Sequence, residues 1–189
     1  MKRVVIVSGA CGVGKSESLR SMREVLEDRV GEVAVLESDH FYMMIDPHWL
    51  LPSDRAERYF EVAGWLLRET ARGFLRAGFD WVAIASNGLW DEAHVREFVA
   101  PLVSDGARVH HVTLDPGLDA VCERLGCREA MKGSAVDSKK TQASSAVELL
   151  RLRERYGAWT HVLDNSTLTP AETALAIFDV VEAGAGILC

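Results

Sequence analysis

Short apolar runs alternate with longer stretches of helical spacing along the chain. Val4–Ser8 is β-branched and reads as a fully buried strand; Val33–Leu36, Trp81–Ala85, Arg108–Leu114 and His161–Leu163 repeat that pattern. Between them, Ser16–Val30 places Leu19, Met22, Val25 and Leu26 on one helical face. Asp54–Ala77 carries an apolar stripe of Tyr59, Val62, Ala63, Leu66, Leu67, Phe74 and Leu75 and stops at Gly78. Asp91–Val103 predicts a helix that Pro101 kinks or ends. Leu118–Met131 and Ala143–Tyr156 read as helices around a polar stretch. Thr169-Pro170-Ala171-Glu172 is a capping box with proline at the first helical position, opening a last helix through about Ala183. Strands alternating with helices predict an α/β fold: a three-layer α/β/α arrangement around a five-stranded parallel sheet. Right-handed crossovers then bring the strand C-termini to one edge, where such folds bind ligands. The segments to inspect are therefore Gly9–Ser16, Ser38–Asp46, Ser86–Asp91, Asp115–Gly117 and Asp164–Thr169.

Composition narrows the partners. A length of 189 residues suits one domain spanning the chain. With 28 acidic against 21 basic residues and a net charge of −7, the chain lacks the basic balance of a protein whose main partner is a nucleic acid. No apolar run approaches the roughly 20 residues that span a bilayer, so a cytoplasmic protein with no membrane partner is expected. Cys11, Cys122, Cys127 and Cys189 have no metal-like spacing and read as reduced thiols, and the six histidines have none either. The oligomeric state leaves no sequence signal.

The first post-strand segment carries the chemistry. Gly9-Ala10-Cys11-Gly12-Val13-Gly14-Lys15-Ser16 fits G-x-x-x-x-G-K-[ST] between a strand and a helix. The glycines let the backbone wrap so that several N–H groups converge on phosphate oxygens, and the helix that follows adds the positive end of its dipole. Lys15 supplies a charge for the β and γ phosphates and Ser16 a hydroxyl for Mg²⁺, so ATP and Mg²⁺ are the expected ligands. Glu17 follows, where many such loops continue with Ser or Thr. An acid there suits the dipole but would repel phosphates, so it is expected to point away although it borders the nucleotide.

The other strand ends separate the function classes. After the third strand, Ser86-Asn87-Gly88 contains no acid until Asp91, unlike a motor ATPase, and neither LSGGQ nor N-K-x-D occurs. The second strand ends Leu36-Glu37-Ser38-Asp39-His40-Phe41-Tyr42, which puts Asp39 beside the phosphate loop. A carboxylate there suits acceptance of an acceptor hydroxyl's proton and ordering of Mg²⁺; a turn or cap is the plainer use of such an Asp. The phosphate loop, Asp39 and the later Arg124 and Arg128 together resemble the small P-loop kinases. That group includes shikimate and gluconate kinases, chloramphenicol phosphotransferase, uridine kinase and the kinase half of polynucleotide kinase. Asp39-x-Phe41-Tyr42 is similar to the D-x-F-Y of uridine-kinase-like enzymes. The short length is more like chloramphenicol phosphotransferase and shikimate kinase, although the latter carries Gly-Gly-Gly where this chain has Asn87-Gly88.

The resemblance implies a short helical lid, about residues 122–142, whose arginines cover the transferring phosphate. Arg124 and Arg128, four apart on one helix, would be that pair; a solvated helix face explains them as well. Lys132, Lys139 and Lys140 read as solvated. Arg55 and Arg58 open the long helix where such kinases hold the acceptor, and surface pairing with Asp54, Glu57 or Glu61 accounts for them equally. Phe41, Trp49, Asn87, Leu89 and Trp90 are candidates for an acceptor pocket of apolar walls and a few polar handles. Asp164–Thr167, with Asn165, is placed for an adenine-side loop or for a turn and cap. The expected activity is ATP-dependent transfer of a γ-phosphate to the hydroxyl of a small antibiotic- or metabolite-type acceptor. Lys15, Asp39, Arg124 and Arg128 would be catalytic, and Ser16 and Asp39 would be metal-linked. A nucleoside or nucleotide kinase and a non-catalytic nucleotide-binding regulatory module are the alternatives. Residues 120–156 hold 8 Lys+Arg and 5 Asp+Glu, so the acidic total hides a locally basic working edge.

Overall fold

A computed structural model describes residues 1–47, 53–131 and 135–188; the side chains of 27–28, 53–54, 128–131 and 135–141 lie outside the description. Five strands, β1 (Arg3–Ser8), β2 (Val33–Glu37), β3 (Trp81–Ala85), β4 (Arg108–Leu114) and β5 (His161–Leu163), form one sheet in the order β2-β3-β1-β4-β5. All four pairings are parallel, with Ile6 level with Ile84 on β3 and His111 on β4. The alternation of β1 divides the core. Val5 and Val7 join Leu19, Met22 and Leu26 of α1 (Lys15–Val30) and Ala174, Ile177 and Val181 of α7 (Pro170–Glu182). Val4 and Ile6 face the other way. They meet Leu67, Ala71 and Leu75 of α3 (Ser53–Ala77) and Val95, Phe98 and Leu102 of α4 (Glu92–Ser104). Each fully buried aliphatic side chain contributes about 1.5–3 kcal/mol by leaving water. The chain leaves β1 toward β3 and β2 on one side and toward β4 on the other. The crevice over the end of β1 is therefore the switch point of the sheet.

Three local features depart from the sequence expectations. A short helix, α2 (Ser38–Met43), begins directly after β2, where an open segment was expected. The chain runs on through Pro101 as helix to Ser104, with Asp105 as the C-cap. After α5 (Leu118–Met131), α6 occupies Ala135–Arg153 rather than starting at Ala143. Polar residues such as Lys139, Lys140 and Gln142 are adequate helix formers, so polarity alone did not mark a break.

Beneath the crevice runs a buried polar chain. Leu89 O is only an acceptor, so His111 Nε2, 2.9 Å away, carries the proton and donates to it; Nδ1 then accepts from the Thr160 hydroxyl at 2.7 Å. Thr160 Oγ1 lies 2.9 Å from Thr113 Oγ1, which lies 3.1 Å from Ser8 Oγ. With one proton per hydroxyl the donors run in one direction from Ser8 to His111. Burial drives the imidazole pKa down to about 4. Between that value and the unfolded value near 6.5 the unfolded chain binds the extra proton, so stability falls as the pH is lowered through this window. His111 alone should contribute a loss of about 3 kcal/mol by pH 4. Urea melts across this range should show a shallower pH dependence in His111→Gln than in the wild type; equal slopes would contradict the assignment.

Candidate active site

The loop Gly9–Ser16 wraps over the end of β1. Gly9 has φ +136, and a Cβ there would lie 2.6 Å from Leu114 O; Gly12 has φ +84, and its Cβ would lie 2.6 Å from Leu125 Cγ. Only glycine fits either place, because the left-handed backbone and the close neighbour each exclude a side chain. Ala10 and Val13 are fully buried and anchor the loop, and Cys11 packs partly against the same core.

Lys15 opens α1 and is buried, and its Nζ donates to Gly9 O at 2.7 Å and to Ala10 O at 2.8 Å. Burial pulls its pKa below the usual lysine range, opposed by Cys11 and then by Glu148, Asp39 and Glu37. The next side chain, Ser16, donates to Glu37 Oε2 at 2.9 Å. Glu37 ends β2 with a side chain only 15% exposed, and Asp39 sits one turn into α2. Because α2 starts at the sheet edge, both acids are presented at the crevice. Glu17 turns outward to pair with Arg20 at 2.7 Å, as expected, while still bordering the cleft.

The cleft measures about 680 Å³. One end holds Lys15, Ser16, Glu37, Asp39, Ser86 and Asn87. Ser86 Oγ accepts Gly88 N–H at 3.1 Å and Leu89 N–H at 3.2 Å, which curls the loop after β3. Asn87 Oδ1 is buried without a hydrogen-bond partner. The other end holds Arg124, Asn165, Leu168, Pro170 and Thr173. Arg124 Nη1 and Asn165 Nδ2 both donate to Val13 O at 3.0 Å, and Arg124 Nη2 donates to Asn165 O at 2.6 Å. Arg124 therefore clamps the phosphate loop to the segment after β5. Its guanidinium is already committed, whereas a lid arginine was expected. Hydrogen bonds from Ser166 hold the Asp164 carboxyl below the usual range and tie that segment's turn.

Several expected residues stand elsewhere. Phe41 packs against the core on the α3 face of the sheet, and Trp90 packs against the opposite core with Arg155 4.2 Å over its ring. Neither lines the cleft, because both side chains turn toward the core. Arg55 and Arg58 lie exposed on α3 and do not line it either. The side chains of Arg128, Lys132, Lys139 and Lys140, and all of Trp49, lie outside the described residues. Glu37, Ser86 and Glu123 line the cleft without having been singled out. For Glu37 the signal was present: it ends a strand at the ligand edge, two residues before Asp39.

The donor set suits a hard cation. Ser16 offers a hydroxyl, and Glu37 and Asp39 offer carboxylates. Among the described residues no group of three or more His, Cys, Asp or Glu forms a cage. Few protein oxygens, with phosphate and water completing the shell, is the usual arrangement for Mg²⁺.

The family model described as an AAA domain, AAA_33, matches residues 4–152. No curated protein matches the sequence significantly. Among solved structures, the tunicamycin resistance protein of Deinococcus radiodurans superposes with a TM-score of 0.62 at 20% identity, covering 99% of this chain and 98% of that one. Shikimate kinase of Acinetobacter baumannii, in complex with shikimate, gives 0.61 at 16% identity, over 97% and 95% of the two chains. A sugar kinase from Janibacter sp. HTCC2649 gives 0.58 at 18% identity, over 98% and 99%. The chain shares the fold of small P-loop kinases along nearly its whole length.

Proposed function

The chain belongs to the AAA domain family AAA_33, and from that premise we propose that it is an ATP-dependent kinase acting on the hydroxyl of a small antibiotic- or metabolite-type acceptor. One observation carries the reading: the phosphate loop with Lys15, the Ser16–Glu37 pair and Asp39 converge on one end of a single cleft. The far end offers Leu168 and Pro170 as apolar surface beside the Arg124 guanidinium, suited to the flat base of ATP. The similarity to a tunicamycin resistance protein and a shikimate kinase supports the acceptor class.

In this mechanism the loop N–H groups and Lys15 bind the β and γ phosphates. Ser16, Glu37 and Asp39 would hold Mg²⁺, which when bound supplies charge neutralisation for the phosphates. Asp39 takes the acceptor hydroxyl's proton as the acceptor oxygen bonds to the γ-phosphorus and the bond from that phosphorus to the bridging oxygen breaks, releasing ADP. Residues 122–142 are the proposed lid. Asn87, with its unused acceptor oxygen, is the proposed handle for a donor group on the acceptor. No helix among the described residues is long and apolar enough to cross a membrane, and the cytoplasm, where ATP is held, is the proposed location.

A screen with γ-labelled ATP and hydroxyl-bearing antibiotics, sugars, cyclitols and nucleosides tests the reading. Transfer of label to at least one acceptor is expected. Tight ATP binding with neither transfer nor hydrolysis would replace it with a nucleotide-binding module.

A further inference from the structure

Glu148 lies on α6, remote in sequence from every nucleotide-binding motif, yet it stands against the phosphate loop. Its Oε2 accepts the backbone N–H of Cys11 at 3.1 Å. Its charge also acts on the Lys15 ammonium. Cys11 and Lys15 both line the cleft. The inward N–H groups of a wrapped glycine-rich loop, with its lysine, are the donors that polyphosphate oxygens occupy. A carboxylate therefore sits on an anion position of the loop. It is held there by tertiary packing: α6 buries Leu149 and Leu152 in the core shared with α1 and α5. Half-buried, Glu148 keeps a loop N–H satisfied, which spares the free loop an orphaned donor. The same charge repels an arriving phosphate.

We propose that Glu148 is a resident anion on the phosphate loop that nucleotide phosphates displace, so that it sets nucleotide affinity. The inference rests on the nucleotide-site reading above. It makes Glu148 an affinity-determining residue contributed by the helix after the proposed lid rather than by the motif itself.

Titration calorimetry with ATP and Mg²⁺, without any acceptor, tests it on the full chain. Glu148→Gln keeps the shape, and its amide oxygen still accepts the Cys11 N–H, but the charge is gone. ATP should bind this variant roughly three- to tenfold more tightly than wild type, and the gap should narrow as salt is raised. Glu148→Asp, whose shorter side chain withdraws the carboxylate from Cys11 N–H, should shift affinity in the same direction; it serves where Glu148→Gln fails to fold. Wild type binding ATP while a folded variant binds it equally or more weakly overturns the role of Glu148 alone. Wild type failing to bind ATP overturns the nucleotide site and this inference together.

Discussion

Asp39→Asn is expected to lower phosphate transfer to the acceptor about 10²-fold or more, as loss of a general base does, while ATP binding stays largely intact. The amide has nearly the shape of the carboxylate and can keep its place at the start of α2 beside Ser38, whose hydroxyl lies 3.5 Å from Asp39 Oδ1. What it lacks is a group to take the acceptor's proton. The phosphate loop, which carries ATP affinity, is untouched by the change. Turnover is measured on the acceptor that the screen identifies, and ATP affinity by calorimetry on the same preparations. Transfer at the wild-type rate would remove Asp39 from the mechanism. A loss of rate that excess Mg²⁺ restores would move it from proton acceptor to metal holder.

Lys15→Ala should have the broader effect, with ATP affinity down by at least about tenfold and turnover down by about 10²–10³-fold. Its Nζ is buried and bonded only to the loop's own carbonyls, Gly9 O and Ala10 O, in the nucleotide-free protein. Burial already holds its pKa down, so the ammonium is poorly solvated and stands to gain from a phosphate partner. Removing it takes away a charge that acts on ground state and transition state alike, which is why binding and rate should fall together. Thermal melting of the variant verifies that it is folded. Unchanged ATP affinity in a folded Lys15→Ala protein would mean that the loop does not hold phosphate. The contrast between the two variants is itself informative: one separates rate from binding, the other couples them.

Much of this architecture was legible in the chain. All five strands are runs of residues that suit full burial, and their positions match within a residue at either end. That legibility has a local cause, since β-branched runs and capping residues such as Thr169 and Glu172 act over a few positions. The phosphate loop was legible for the same reason, its geometry being dictated by glycines and a lysine in immediate succession. The start of α6 was not, because a polar helix and a polar loop have similar composition. Phe41 and Trp90 stood at the right places in sequence, yet their side chains turn toward the core. Arg124 was correctly placed near the nucleotide end, but its partners Val13, Asn165 and Ser166 are 11 to 111 positions apart from one another or from it only when counted along the chain, and adjacent once folded.

By itself, the sequence determined the layered α/β fold, the phosphate loop and the acid after the second strand, because each depends on neighbours along the chain. The tertiary structure decided which charges meet. Glu37 reaches Ser16 because β2 and the loop after β1 share one edge of the sheet, with β3 between the two strands. Arg124 clamps the loop because α5 and the segment after β5 close over the same switch point. Glu148 touches Cys11 because α6 packs into the core beside α1. Carboxylates and guanidinium groups act through a few ångströms of space, and only the packed chain sets those distances.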